Sequence, residues 1–184
     1  MKKKLFVVVL TTLSLCCHAQ FVLTPSGLMT EDGAYTIMRT GTESENFEVA
    51  KKAVELAIPG IDIGELEYEK SFSANGIQKG HRRFTGFATA SVDWSIEYQL
   101  KVEAEEDKIS ISFTKVGSLV LKRKGESVAE VFPTSGKRTI LLALSGQGFV
   151  FNTNGQVARG CKPIKETYEE MANNIVKTIE NNLK

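Results

Sequence analysis

Strict two-residue alternation over residues 92–116 is the feature that most constrains the fold of this chain. Because successive side chains of a β-strand point to opposite faces, alternation of apolar and polar residues predicts a strand with one buried face. The first half of the stretch has apolar residues at every second position: Val92, Trp94, Ile96, Tyr98, Leu100 and Val102. The pattern returns at Ile109, Ile111 and Phe113 after the acidic stretch 103–107, which predicts a long β-hairpin with an acidic tip.

A short strand and a capped helix are predicted before this hairpin. Residues 34–40 alternate in polarity and predict a first strand. Thr42 and Glu45 have the spacing of a capping box, in which each side chain satisfies a free amide at a helix start. Apolar residues at helical spacing follow, and Pro59 with Gly60 predicts the end of the helix.

Two further strands are expected between this helix and the hairpin. Apolar residues alternate with glutamates from position 65, and Asn75 followed by Gly76 predicts a turn into the next strand. Residues 83–91 carry small side chains on one face, where a helix can approach closely. We therefore expect the first helix to dock there.

The pattern is less regular after Gly117. The apolar run 140–144 is compatible with either a buried strand or a helical turn. Asn154 with Gly155 predicts a short hairpin, and Pro163 opens an amphipathic helix that continues to the C-terminus. Residues 20–32, which contain Pro25 and glycine, predict a loosely held lead-in.

Together these elements predict an α+β fold: an antiparallel sheet of about five strands, with a helix after strand 1 and a C-terminal helix packed on one face. Residues 20–117 are predicted to form the α+β domain. Residues 118–184 are predicted to add strands and the closing helix to the same globular unit, although the pattern leaves open whether residues 118–162 form a separate module.

The first nineteen residues have the three-part layout of a secretory signal peptide. Lysines at positions 2–4 precede an apolar run that is too short to span a bilayer, and small residues follow. The best cleavage position is after Ala19, which predicts a periplasmic or secreted protein that begins at Gln20 and has no transmembrane segment. Lipidation at Cys16 or Cys17 is the less favoured alternative, because Leu15 is not a small residue.

Removal of this leader takes away three lysines and no acid, so the formal charge falls from +1 to −2. A negative balance argues against nucleic-acid binding, which depends on phosphate neutralisation. The remaining chain keeps one cysteine, Cys161, and one histidine, His81, which permit no intrachain disulfide and no zinc site of their own. We expect neither a cofactor nor a bound metal.

The order of strand, capped helix and four strands ending in the long hairpin resembles an exported bacterial domain family of unknown function. The fold of that family is similar to the TATA-binding protein (TBP-like). The resemblance covers about residues 33 to 116, through 34–40, 42–58 and 91–113, and the closing helix 163–184 would supply the last element. It implies a fold and an envelope location and carries no activity.

Charged residues on the predicted polar sheet face are the first candidates for a site. Acids outnumber lysines there: Glu65, Glu67, Glu69, Asp93 and Glu97 stand against Lys101 and Lys108. A basic cluster formed by Lys79, His81, Arg82 and Arg83 is compatible with an anion site or with a solvated loop, and the loop is favoured because charge runs of this size are common on surfaces.

Two functions compete on this basis. The first is an exported, non-catalytic envelope protein that binds a protein, peptide or glycan through its sheet face or edge. Its candidate binding residues are Glu67, Asp93, Glu97, Lys101, Arg82 and Arg83. The alternative is a carboxylate-dependent hydrolase of envelope polymers, for which Glu65, Glu67, Asp93 and Glu97 are the candidate acids.

Overall fold

A computed structural model describes residues 20–66, 70–84, 91–137 and 147–183, without the side chains of residues 65 and 66. In chain order its elements are β1 (Val22–Thr24), β2 (Gly27–Met29), β3 (Tyr35–Met38), α1 (Glu43–Ala57), β4 (Asp62–Leu66), β5 (Ser71–Arg82), β6 (Val92–Glu105), β7 (Lys108–Arg123), β8 (Glu126–Ser135), β9 (Gln147–Phe151) and α2 (Lys162–Asn182). Strands β3 to β9 form one seven-stranded sheet, and β1 and β2 form a separate hairpin.

The hairpin of β6 and β7 is the centre of the sheet, as the alternation predicts. Its strands are antiparallel from Glu105 opposite Lys108 to Asp93 opposite Lys122. Bulges interrupt the register between Ile96 and Tyr98 and again after Gln99. Because a bulge inserts an extra residue and shifts the alternation, β7 continues to Arg123 although its sequence pattern becomes irregular after residue 113.

The sheet is larger than the predicted five strands and is partly parallel. The edge of β7 that faces away from β6 pairs with β3 in its first half and with β8 in its second half. Strand β9 then pairs with β8 in the parallel direction. The expectation of a purely antiparallel sheet is therefore wrong. The sequence did not reveal the parallel pair because β8 and β9 lie in the region where its pattern is weak.

Both helices were predicted correctly. Helix α1 begins at a capping box formed by Thr42 and Glu45, and α2 has Pro163 in its first turn. The helices contact each other and pack against the face of the sheet that carries the buried side chains of β6, which we call the helix face. One core cluster includes Leu100, Val131 and Ile164, so it contains residues from both sides of position 117.

The lead-in is not loose. Strands β1 and β2 form a hairpin whose side chains Phe21, Leu23 and Leu28 are buried. The Phe21 amide donates to Asn173 Oδ1 at 2.9 Å, and the Leu23 amide donates to Glu169 Oε1 at 2.9 Å, both on α2. The prediction failed because these anchors lie about 150 residues away in sequence and leave no local signal.

The predicted turn at Asn75 and Gly76 is also wrong, because β5 runs straight through both residues. Gly76 lies opposite Tyr98, and a β-carbon at Gly76 would be 2.5 Å from the tyrosine ring. Gly80 lies opposite Trp94 in the same way, with 2.6 Å between a built β-carbon and the indole ring. Glycine is needed at both positions because an aromatic side chain crosses the strand there.

Two expectations lie outside the described residues. The strand predicted for residues 83–91 falls mainly on residues 85–90, which also carry the small side chains expected to receive α1. The apolar run 140–144 is the second. By contrast, the hairpin predicted at Asn154 and Gly155 is confirmed by the amide of Ala158, which donates to the Val150 carbonyl at 2.8 Å.

Loss of the α1 cap gives a first test of the fold. The Thr42 hydroxyl accepts from the Glu45 amide at 3.3 Å, and the Glu45 carboxylate accepts from the Thr42 amide at 2.9 Å. We expect Thr42→Ala to lower the free energy of unfolding by about 1 kcal/mol, measured by urea denaturation. Ser44→Ala, at an exposed position in the same turn, is the matched control, and an equal loss there would contradict the capping role of Thr42.

Candidate functional site

The sheet face opposite the helices, which we call the open face, carries the polar positions of β5 and β6. Directly opposed residues on this face include His81 with Asp93, Lys79 with Ser95, and Ile77 with Glu97. A row of polar side chains continues this pairing: Gln99 Nε2 donates to Asn75 Oδ1 at 3.0 Å, and Thr114 Oγ1 donates to Gln99 Oε1 at 3.0 Å. The open face is therefore an ordered polar surface.

Three of the predicted site residues lie on this face, all on β6. The Asp93 carboxylate lies 2.8 Å from His81 Nδ1, and Lys101 Nζ lies 2.7 Å from the carboxylate of Glu103. Glu97 is exposed between them. The third acid among the candidate binding residues, Glu67, lies outside the described residues, as do Glu69 and the side chain of Glu65.

Arg82 is on the other side of the sheet. Its guanidinium donates to Thr167 Oγ1 at 3.1 Å and to Glu170 Oε2 at 2.9 Å, and both partners belong to α2. The sequence placed Arg82 and Arg83 in one basic cluster with Lys79 and His81. Because neighbouring residues of a strand point to opposite faces, β5 divides this cluster, and Arg82 ties the sheet to α2.

The only thiol and the only imidazole beyond the leader lie in different environments. Cys161 is completely buried at the start of α2, and its Sγ lies 3.5 Å from the Phe149 carbonyl oxygen. The His81 side chain is 63% exposed on the open face. Cys161 is therefore a core residue.

Among the described candidate acids of the hydrolase hypothesis, Asp93 and Glu97 are poorly placed for a catalytic pair. Asp93 and Glu97 are four residues apart on one strand, which separates their backbones by about 13 Å. Glycoside hydrolases need carboxyl groups about 5 to 9.5 Å apart. The Asp93 carboxylate is also held across the sheet toward His81 and not along the strand toward Glu97.

Glu65 is no closer to Glu97. It pairs with Phe72, and Phe72 pairs with Val102, which is five residues from Glu97 along β6. At strand spacing this offset corresponds to about 17 Å, before the separation across two strands is added. The backbone positions therefore do not favour a carboxylate pair between β4 and β6.

A groove of about 730 Å³ lies beside β5. Its lining comes from residues 58–62, residues 75–79 and residues 97–99, together with Lys115 and Gly117. Strand β4 pairs with β5 only from Ser71 to Asn75. Within the described residues, the outer edge of β5 from position 76 to position 82 has no strand partner.

Tyr98 forms the aromatic part of this groove. Its ring lies over Gly76 and contacts the Phe113 ring edge to face, with 5.8 Å between the ring centroids. Burial raises the pKa of Tyr98 to about 12, so the hydroxyl is neutral at neutral pH and remains a hydrogen-bond donor.

Sequence reasoning missed the groove and the part that glycine plays in it. A signal was present: Gly76 and Gly80 are four residues apart on β5, and Trp94 and Tyr98 are four residues apart on β6. Such matched spacing is typical of aromatic side chains that cover glycines on a neighbouring strand.

Neither described helix combines the length and the apolar composition needed to cross a membrane. Among the described residues, no three His, Cys, Asp or Glu side chains form a cluster suited to a metal ion.

Comparison with known proteins identifies the fold. No protein-family model and no curated protein sequence matches the chain. A solved TBP-like protein from Parabacteroides distasonis is similar in structure, with a TM-score of 0.52 and 8% identity over 82% of this chain and 92% of that one. A DUF4468 family protein from Bacteroides ovatus has a TM-score of 0.49 and 11% identity over 79% and 84% of the two chains. At such low identity the likeness concerns architecture alone, and the similarity to the Parabacteroides protein confirms the predicted fold: the chain has a TBP-like α+β fold.

Proposed function

We propose that the protein is an exported, non-catalytic envelope protein that binds a protein, peptide or glycan along β5. The observation that carries this proposal is that the groove lies along the edge of β5 that has no strand partner among the described residues. Export rests on the leader pattern of residues 1–19, which lie outside the described residues. Cleavage after Ala19 remains our prediction, with lipidation at Cys16 or Cys17 as the alternative.

The chemistry of the groove suits recognition by hydrogen bonds and charge. Its lining presents the side chains of Glu97, Gln99 and Lys115 beside the exposed Ile77. Polar groups of this kind fix the orientation of a ligand, and an apolar side chain among them adds contact area. The candidate binding residue Glu97 belongs to this groove, whereas Asp93 and Lys101 flank it on the same strand.

A TBP-like fold does not by itself imply nucleic-acid binding, because unrelated functions share the same folds. The lysines Lys79 and Lys115 stand beside Asp62 and Glu97 in the groove lining. This balance leaves no net positive charge to neutralise a phosphate backbone. We therefore retain protein, peptide and glycan as the classes of ligand.

Site-specific photo-crosslinking tests the proposal. A photoreactive amino acid at Ile77, expressed in the full chain in its own cell envelope, should give a discrete adduct on irradiation, because Ile77 is 57% exposed in the groove. Protease or glycosidase treatment of the adduct then shows which class of ligand was captured. The same amino acid at Lys177, exposed on α2, is the control. No adduct at Ile77, or equal adducts at both positions, would overturn the proposal.

A further inference from the structure

The unpaired edge of β5 restricts the kind of ligand that the groove can hold. In an antiparallel ladder, an edge strand directs N–H and C=O groups outward at alternate residues. Residues 76–82 of β5 have β6 on one side and, in the described part of the chain, no strand on the other. A row of donors and acceptors at strand spacing is best satisfied by another extended backbone.

The groove offers a place for such a backbone. Strand β4 ends its pairing at Asp62 opposite Asn75, and the preceding residues leave the sheet through Gly60, which has a φ of 77°. The groove is lined by residues 58–62 from this side and by residues 75–79 of β5. An added strand would therefore continue the line of β4 along β5.

The open-face side chains of this edge indicate what such a strand would carry. Lys79 is exposed, and its directly opposed residue on β6 is the neutral Ser95. Ile77 is 57% exposed, and its directly opposed residue is the charged Glu97. Opposite charges and apolar pairs stabilise directly opposed positions of neighbouring strands. On β6, neither Lys79 nor Ile77 has a complementary opposed residue. An added strand would provide one for each if it carried an acidic residue opposite Lys79 and an apolar residue opposite Ile77.

Charge disfavours a second copy of this chain at the same edge. Residues 76–82 contain Lys79, His81 and Arg82 and no acidic residue. Antiparallel self-pairing about a two-fold axis at Lys79 would oppose the two lysines directly, which is unfavourable. Charge therefore favours a partner of different sequence.

We propose that the ligand is an extended peptide that adds to β5 as an antiparallel strand, with an acidic residue opposite Lys79 and an apolar residue opposite Ile77. In an antiparallel strand the acidic residue precedes the apolar residue by two positions, so the recognised pattern is acidic, any residue, apolar. This inference rests on the proposed binding function and narrows its ligand to peptides.

Titration with designed peptides tests the inference. The probe is the acetylated, amidated peptide Ser-Thr-Thr-Glu-Thr-Val-Thr-Ser, added to the purified full chain labelled with nitrogen-15. We expect the chemical shifts of the backbone amides to change at residues 76–82 and at the groove residues 58–62. The amides on the exposed side of α2 should not shift. Lys79→Glu should weaken binding about tenfold or more, because it places a second carboxylate directly opposite the peptide glutamate.

A charge swap makes the test specific. The peptide with Lys in place of Glu should bind Lys79→Glu better than it binds the natural chain, because the swap restores the opposed pair. Lys177→Glu is the matched control, since Lys177 is exposed on α2 and lies outside the groove lining. It should change the affinity for both peptides much less than Lys79→Glu does.

The outcomes separate this inference from the proposed function. No shifts at residues 76–82 with either peptide, or no recovery in the charge swap, overturns the peptide inference. If the Ile77 crosslinker meanwhile captures a glycan, the binding function stands and its ligand class is different. If the crosslinker also captures nothing, both proposals fail.

Discussion

Tyr168→Ala is expected to lower the free energy of unfolding by about 3 to 5 kcal/mol, the usual cost of removing a fully buried aromatic ring. The Tyr168 side chain is completely buried in α2. Its hydroxyl lies 3.1 Å from the carbonyl oxygen of Gly117 and 2.9 Å from that of Val131, to which it donates. The substitution therefore leaves a cavity and removes the link between α2 and two strands, β7 and β8. Since domains are stable by about 5 to 15 kcal/mol, this loss is a large share of the total.

Urea denaturation followed by the fluorescence of Trp94, the only tryptophan, measures this change. Tyr168→Phe keeps the ring and removes the hydroxyl, so it should cost about 1 to 2 kcal/mol. Lys177→Ala, on the exposed side of α2, should stay within about 0.5 kcal/mol of the natural chain. A cost below about 1 kcal/mol for Tyr168→Ala would contradict the packing of α2 against β7 and β8.

The elements that could be predicted from the sequence are those whose signals are local. The capping box at Thr42 joins residues three positions apart, and the apolar face of α2 repeats within each turn. The alternation of β6 is likewise visible in one short stretch, and its buried positions were assigned correctly. Trp94 lies on the predicted face, although it is only partly buried.

The elements that could not be predicted depend on distant residues. Asn75 and Gly76 form a typical turn dipeptide, and only the presence of Tyr98 on β6 explains glycine inside a strand. The β1–β2 hairpin is held by α2, at the other end of the chain. Strand β9 pairs with β8 in parallel, and such pairing requires a crossover that periodicity cannot reveal.

The candidate site was predictable in part for the same reason. Alternation placed Asp93, Glu97 and Lys101 together on the open face. Arg82 was assigned to a solvated basic loop because charge runs are common on surfaces. The uninterrupted register of β5 places it instead on the helix face. The groove itself exists because β4 is shorter than β5, and a difference in strand length is a property of the paired sheet.

Gly76→Val should destabilise the chain, although valine favours strands more than glycine does. Strand propensity alone would make the substitution stabilising by up to about 1 kcal/mol. A β-carbon at this position would lie 2.5 Å from the Tyr98 ring, however, so that the ring must move out of its buried site. Overpacking of this kind costs about 1 to 3 kcal/mol. Gly64→Val on β4 is the matched control, since a β-carbon there meets only the Ser73 hydroxyl, at 3.3 Å.

A double-mutant cycle with Tyr98→Ala tests whether the ring is the cause. Tyr98→Ala is expected to be destabilising by itself because it empties a buried site. In that background Gly76→Val no longer meets an aromatic ring, so we expect it to cost nothing or to stabilise the chain. The coupling energy between the two positions should then be about 1 to 3 kcal/mol, measured by urea denaturation of all four proteins. If Gly76→Val lowers the free energy of unfolding by the same amount with and without the ring, the Tyr98 ring does not lie over Gly76. The conformation of β5 beside the groove would then need another explanation.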